Sequence, residues 1–294
     1  MRHWKTGTGV RLGALVAALL AGCGHAPPAP GSGDQGEERR LAVANGWLLG
    51  SSLGLGRALP VVFMHGVGGN HHFFDPQLSE FRSSRRVLAF DQRGCGGSAD
   101  APGGNYDLET RVRDLGIVLD AVQLDPVVLV GHGTGVQVVV RYAERNPARV
   151  VGLALINPVS GNAEAARIAD LPEPEFRAAI DRWLGTLVEG ARPETREKVL
   201  ASVGGARVPA MRAMLADAAA TDLSGSLAAY PGPVLILAAP GEPVPGPLPP
   251  SIKVRRLSAG SHWSTLDAAA EVNAALWEFL RPLDAAAAER RKSG

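Results

Sequence analysis

The sequence predicts an α/β fold: a mostly parallel central sheet flanked by helices, with a helical cap inserted before the last two strands. Three observations carry that expectation. Short apolar runs rich in β-branched residues recur along the middle of the chain, and each is continuous, as strands covered on both faces require. Helix-period stretches separate them, so the connections are crossovers and the strands lie parallel. One long segment, 161–230, breaks the alternation. It is Ala-rich, charged and helix-like throughout, and it precedes the last two strand-like runs.

Taken in order, the chain of 294 residues opens on a basic start of Arg2, Lys5 and Arg11. The apolar run Leu12–Gly22 follows, too short to span a bilayer but suited to the core of a signal peptide. It ends in Leu20-Ala21-Gly22-Cys23, which resembles the bacterial lipobox. That resemblance implies a diacylglyceryl thioether and an N-acyl chain on Cys23, three acyl chains where one alone would hold weakly. The competing reading is an ordinary signal peptide that happens to contain a cysteine. The lipobox reading makes 1–22 a signal peptide and the membrane a partner through lipidated Cys23. The protein would then sit exported at the bacterial cell envelope, at the outer membrane or the periplasmic face. Residues 23–40, rich in Pro, Gly and charge, read as a flexible tether.

The folded domain is expected over 41–283, with an opening hairpin at 45–57. Strands are expected at Pro60–Met64, Arg86–Phe90, Val127–Val130, Val150–Ile156, Val234–Leu237 and Ile252–Leu257. Helices are expected at Leu108–Val122, capped by Asp107, and at Val136–Glu144. In the cap, about 161–230, Trp183, Leu184, Leu187, Met211, Met214 and Leu215 are apolar anchors that pack on the main domain or face a pocket. Residues 284–294 read as a flexible, frayed helical tail.

The hydrophobic fraction of 46% permits a sizeable core, and the formal net charge of +1 lacks the footprint of a nucleic-acid binder. Of the two cysteines, Cys95 is alone if Cys23 is acylated, so the fold depends on no intrachain disulfide.

Four segments carry the chemistry: FMHGVGGN (63–70), AFDQRGCGGSAD (89–100), GHGTG (131–135) and SAGSHWSTLD (258–267). In this order they resemble the α/β-hydrolase superfamily, in its general esterase, lactonase and peptidase branch, over roughly residues 45 to 281. The DQRGCG loop is similar to that of proline iminopeptidases; the other motifs do not follow that subfamily. The resemblance implies a nucleophile elbow at GHGTG, oxyanion donors at the N–H groups of Val67 and Thr134, and a catalytic histidine at His262. The same resemblance implies that Asp91 and Arg93 hold loops together and perform no chemistry.

Two positions depart from the family pattern. Gly133 stands where the nucleophile belongs and has no side chain, so no acyl-enzyme can form there. After Val234–Leu237 the usual Asp is missing, and Glu242 is the only nearby carboxylate. It is either the acid that orients His262 or a solvated loop charge. Glycine removes the backbone strain of an elbow once a nucleophile is no longer needed. Thr134, Ser160, Ser261 and Ser264 are hydroxyls near the expected site, and nothing in sequence marks one as activated. His71 and His72 lie beside the oxyanion loop with no further ligands clustered in sequence. They read as loop or pocket-lining residues, with no metal or other cofactor expected.

Three functions follow from these departures. The first is a lipid-anchored, non-catalytic hydrolase that keeps the cleft and binds a small apolar ligand or a partner. The second is an active but atypical hydrolase of the ester, lactone or amide type, using His262 as general base without a serine. The third is a structural envelope lipoprotein.

Overall fold

The computed structural model describes residues 38–293. The segments expected to be the signal peptide and nearly all of the tether, with Cys23, therefore lie outside the described residues. Among the described residues, eight strands form one sheet: β1 (Glu38–Val43), β2 (Gly46–Leu53), β3 (Ala58–Met64), β4 (Arg85–Phe90), β5 (Val127–His132), β6 (Val150–Ile156), β7 (Val234–Ala238) and β8 (Lys253–Arg256). Their spatial order is β1-β2-β4-β3-β5-β6-β7-β8. β1 pairs antiparallel with β2, and β2 antiparallel with β4; every later pairing is parallel.

The strands form where continuous apolar runs predict them. β5 and β7 are buried along their whole length, because helices cover both faces. One face carries α2 (Leu108–Ala121) and α3 (Val136–Arg145), whose Leu115, Leu119, Val136 and Val139 share a core with Val62, Leu129 and Ile236. The other carries α1 (Asp75–Phe81) and, after the short α9 (Ser264–Asp267), the C-terminal α10 (Ala269–Ser293); Leu78, Phe81, Leu276 and Leu280 of α1 and α10 pack with Phe63, Val130 and Leu237. The Asp107 side chain accepts the N–H of Thr110 at 2.7 Å and caps α2.

Between β6 and β7 run five helices: α4 (Ala163–Ala169), α5 (Glu173–Leu187), α6 (Pro193–Gly205), α7 (Val208–Ala220) and α8 (Leu223–Ala229). They occupy the segment expected for the cap. Met211, Met214 and Leu215 are buried with Phe176 and Ile180 in a core that also takes in Val67, Phe73 and Trp263 of the main domain.

Three expectations need correction. The opening hairpin turns at Ala44–Asn45 and begins at Glu38, so residues 38–40 belong to β1 and not to the tether. Arg39 and Arg40 fit an exposed edge strand, which sequence polarity alone reads as linker. β8 is a second edge: Val254 is 46% exposed and its neighbours are charged, so the run is not covered on both faces. Finally, no flexible tail starts at 284; α10 continues helical to Ser293. Asp284 holds the buried Arg85 guanidinium at 2.9 Å and accepts the N–H of Leu59 at 3.0 Å, and Ala287 is buried. No helix among the described residues is long and apolar enough to cross a membrane.

Candidate functional site

In an open α/β sheet the crevice beyond the carboxyl ends of the strands collects the chemistry. Here His65 follows β3, Asp91 follows β4, Gly133 follows β5, Asn157 follows β6, Glu242 follows β7 and His262 follows β8. The structure brings Gly133, Val67, Thr134, Glu242 and His262 to this one edge.

At the end of β5 the chain turns sharply into α3, and Gly133 has φ +56°, the left-handed region. The glycines on either side are steric necessities. A Cβ at Gly135 would lie 2.4 Å from the Met64 carbonyl oxygen, and one at Gly131 would lie 2.8 Å from Val136 Cα. Gly133 differs. A Cβ there would meet His262 Nε2 at 3.1 Å, with Gly66 Cα at 3.8 Å and His262 Cε1 at 3.9 Å next nearest. Conformation, more than space, therefore selects glycine at this turn.

His262 is buried, and its Nδ1 lies 3.0 Å from Glu242 Oε1. The carboxylate accepts, so Nδ1 carries the proton and Nε2 presents a lone pair toward Gly133. Glu242 is 15% exposed. The solvated-charge reading of this residue is thus corrected: Glu242 is held against His262. Asn157 couples the two loops. Its Nδ2 donates to the His262 carbonyl at 2.6 Å and to Ser264 Oγ at 3.0 Å, and its Oδ1 accepts the N–H of Ala239 at 2.7 Å. Arg256 donates to the Glu242 carbonyl and ties that loop to the sheet edge.

The loop after β3, expected to carry an oxyanion donor at Val67, is fixed by the DQRG segment. Gln92 donates from its side chain to the His65 carbonyl at 2.6 Å, and its backbone N–H donates to His65 Nε2 at 2.9 Å. His65 Nδ1 donates to the Gly66 carbonyl at 2.7 Å, and burial lowers the pKa of the ring. Arg93 grips Asp114 with both ends of its fork and donates to the Ala44 carbonyl at 2.7 Å. Asp91 accepts the N–H groups of His71 and Gly97. These are the loop-holding parts expected of Asp91 and Arg93. Cys95 is buried, and burial pushes its thiol up to about 12, so it is no nucleophile.

Gly66, Val67, His132, Gly133, Thr134 and His262 line one small cavity, roofed by Trp183, Leu184 and Leu187 of the cap together with Phe73, Val159 and Trp263. Its volume is about 10 Å³, at the lower limit for one water. The expected cleft is present as a set of lining residues, but the cap closes it. Ser160, Ser261 and Ser264 do not line it; they bond to Thr221, Asp267 and Asn157 respectively. His71 and His72 do not line it either, which corrects that part of their reading.

Sequence reasoning missed His132. Its Nε2 donates to the His262 carbonyl at 2.9 Å, and its ring centroid lies 4.9 Å from that of His262. Its Nδ1 and Thr134 Oγ1 are buried without a hydrogen-bond partner. Burial, with the neighbouring His262 second, pushes the His132 pKa down to about 3, so the ring is neutral. Nothing in GHGTG singles it out, because its role depends on the loop 130 residues later.

A family model described as "Alpha/beta hydrolase family" matches residues 61–275, most of the chain and every segment just placed at the sheet edge. The chain belongs to the alpha/beta hydrolase family. Among curated relatives it is 39% identical over 112 residues to "Putative carbamate hydrolase RutD" of Variovorax paradoxus (strain S110), covering 37% of this chain and 42% of that one. It is 39% identical over 103 residues to a non-heme chloroperoxidase of Streptomyces lividans, covering 34% and 37%. The match thus spans about two fifths of the length of these relatives. Among solved structures, a thermophilic esterase from Thermogutta terrifontis superposes with TM-score 0.71 at 21% identity, over 84% of this chain and 99% of that one. At that identity the likeness establishes the α/β-hydrolase fold alone.

Proposed function

We propose that this family member has given up covalent catalysis and holds a small apolar, acyl- or ester-like ligand non-covalently above Gly133. The observation that carries this is Gly133 itself: a left-handed turn residue facing His262 Nε2 with no side chain to attack anything. The apolar roof of Trp183, Leu184 and Leu187 supports an apolar ligand, and the small volume requires the cap to move before one enters. We also propose that Cys23 is acylated and holds the domain at the bacterial envelope. A Cys23→Ser protein that still fractionated with membranes would contradict that anchor.

A serine-directed fluorophosphonate tests the main reading. Purified full-length protein should take up no label, while short-chain acyl esters quench the fluorescence of Trp183 and Trp263. Stoichiometric labelling overturns it.

A second reading has its own support in the Glu242–His262 hydrogen bond of 3.0 Å, which an idle site has no need to keep. His262 would act as general base on a water in the space left by the absent side chain, with the N–H groups of Val67 and Thr134 receiving the oxyanion. It predicts ester turnover that His262→Ala abolishes. Equal slow rates in the two proteins would remove it.

A further inference from the structure

Away from the cavity, the start of β1 meets the turn His71–Phe74 that follows the oxyanion loop. His71 is 1% exposed. Its Nδ1 lies 2.7 Å from Asp91 Oδ1, which also accepts the His71 backbone N–H at 2.7 Å. The carboxylate fixes the proton on Nδ1 and leaves Nε2 as a bare acceptor, buried and without a hydrogen-bond partner. His72 repeats the arrangement: its Nδ1 lies 3.2 Å from Asp75 Oδ1. Both Nε2 atoms face one oxygen, Glu38 Oε1, at 3.4 Å from His71 and 3.0 Å from His72. All three atoms lie within 4.8 Å of one another. With both rings neutral these are three converging acceptors, which repel; a proton on His72 Nε2 relieves only its own contact with Glu38, whereas a metal ion among them relieves all three. A single proton can serve only one contact at a time.

We propose that Glu38, His71 and His72 bind a divalent transition metal of the zinc class. Two imidazole nitrogens and one carboxylate oxygen are the donors such an ion takes. With metal–ligand distances of about 2.0–2.1 Å, a tetrahedral site has ligand–ligand edges of about 3.3–3.4 Å; the two distances to Glu38 Oε1, 3.0 and 3.4 Å, lie close to that value. Asp91 and Asp75 supply the carboxylates that hold ligating imidazoles in the correct tautomer. The fourth position opens to solvent past the half-exposed Glu38 and His72. The only cation this corner otherwise receives among the described residues is Lys198, whose Nζ goes to Asp75 at 3.0 Å and to the His72 carbonyl, not to the three ligand atoms. The metal would clamp the first residues of β1 to the loop that carries Val67. Sequence could not show it, because Glu38 stands far from the histidine pair and joins it only through the β1–β2 hairpin.

Calorimetric titration of chelator-stripped, full-length protein with Zn2+ tests the site, and Co2+ in its place reports geometry through its visible absorption. One equivalent should bind per chain, with the intense bands of tetrahedral Co2+ and a raised Tm. Loss of a carboxylate behind a ligand costs about 10–100-fold in affinity, so Asp75→Asn should fall in that range and Glu38→Gln and His72→Ala beyond it. Circular dichroism checks that each variant folds. Both ligand substitutions lie on half-exposed side chains, so they leave the core intact. A flat Zn2+ titration of the wild type overturns the proposal and leaves a metal-free His72 ion-paired with Glu38 and Asp75. Affinity unchanged in both ligand variants overturns it as well, by placing the ion elsewhere.

Discussion

Restoring a side chain at Gly133 separates backbone strain from chemistry. At φ +56° a non-glycine residue costs about 1–3 kcal/mol. Space adds little to this. The new Cβ would meet His262 Nε2 at 3.1 Å, and a shift of a few tenths of an ångström in that ring relieves the contact. For a domain of this size about 2–4 °C of Tm is lost per kcal/mol, so Gly133→Ala and Gly133→Ser should each melt about 2–12 °C below wild type. The two variants must then diverge. Gly133→Ser places a hydroxyl beside a His262 whose Nδ1 is held by Glu242, and it should gain fluorophosphonate labelling and a burst with short p-nitrophenyl esters. Gly133→Ala should gain neither. Melting scans and a labelling gel read both effects. If Gly133→Ala melts with wild type, the strain argument for glycine at this turn is wrong. If Gly133→Ser melts low yet stays unlabelled, the His262–Glu242 pair is not poised as its geometry implies.

Three further outcomes follow from the same contacts. Leu184→Ala removes a roof residue that is 1% exposed, so stability should fall by about 2–5 kcal/mol in denaturant melts, while the enlarged cavity should bind apolar acyl ligands more tightly. Arg93→Ala leaves the buried Asp114 carboxylate without its fork-shaped partner and should cost about 3–5 kcal/mol; Arg93→Lys, a single point charge, should recover only part of that. His132 has a folded pKa of about 3 against 6.5 unfolded. The unfolded chain therefore binds the proton first, and stability present above pH 6.5 is lost as pH falls toward 3. Between pH 6.5 and 4 that amounts to about 3 kcal/mol at 1.36 kcal/mol per unit. The pH dependence of urea midpoints should flatten by this amount in His132→Gln, and an unchanged slope would contradict the assignment.

Much of this protein was legible in its residues. Apolar runs placed six strands, β3 to β8, within one or two residues; for β3 to β7 the reason is that a strand covered on both faces needs no partner-specific information to be recognised. The first edge was not legible. β1 is polar because it is an edge, and polarity alone reads the same way in a tether. The last helix looked frayed because its anchor, Asp284 against Arg85, joins residues 199 positions apart.

The site divides in the same way. Local sequence determined the elbow, since a glycine-flanked turn between a buried strand and a helix must bend sharply, and it determined that Gly133 carries no nucleophile. Resemblance of its motifs to the α/β-hydrolase family marked Val67, Thr134 and His262 as candidates. Only tertiary structure decided that Glu242 reaches His262, that Asn157 binds their two loops together, that the cap shuts the cleft to about 10 Å³, and that Glu38 joins His71 and His72. Backbone conformation follows from neighbouring residues, because sterics act over a few bonds. The meeting of side chains from distant loops depends on how the whole sheet and its cap pack, and no short stretch of sequence contains that.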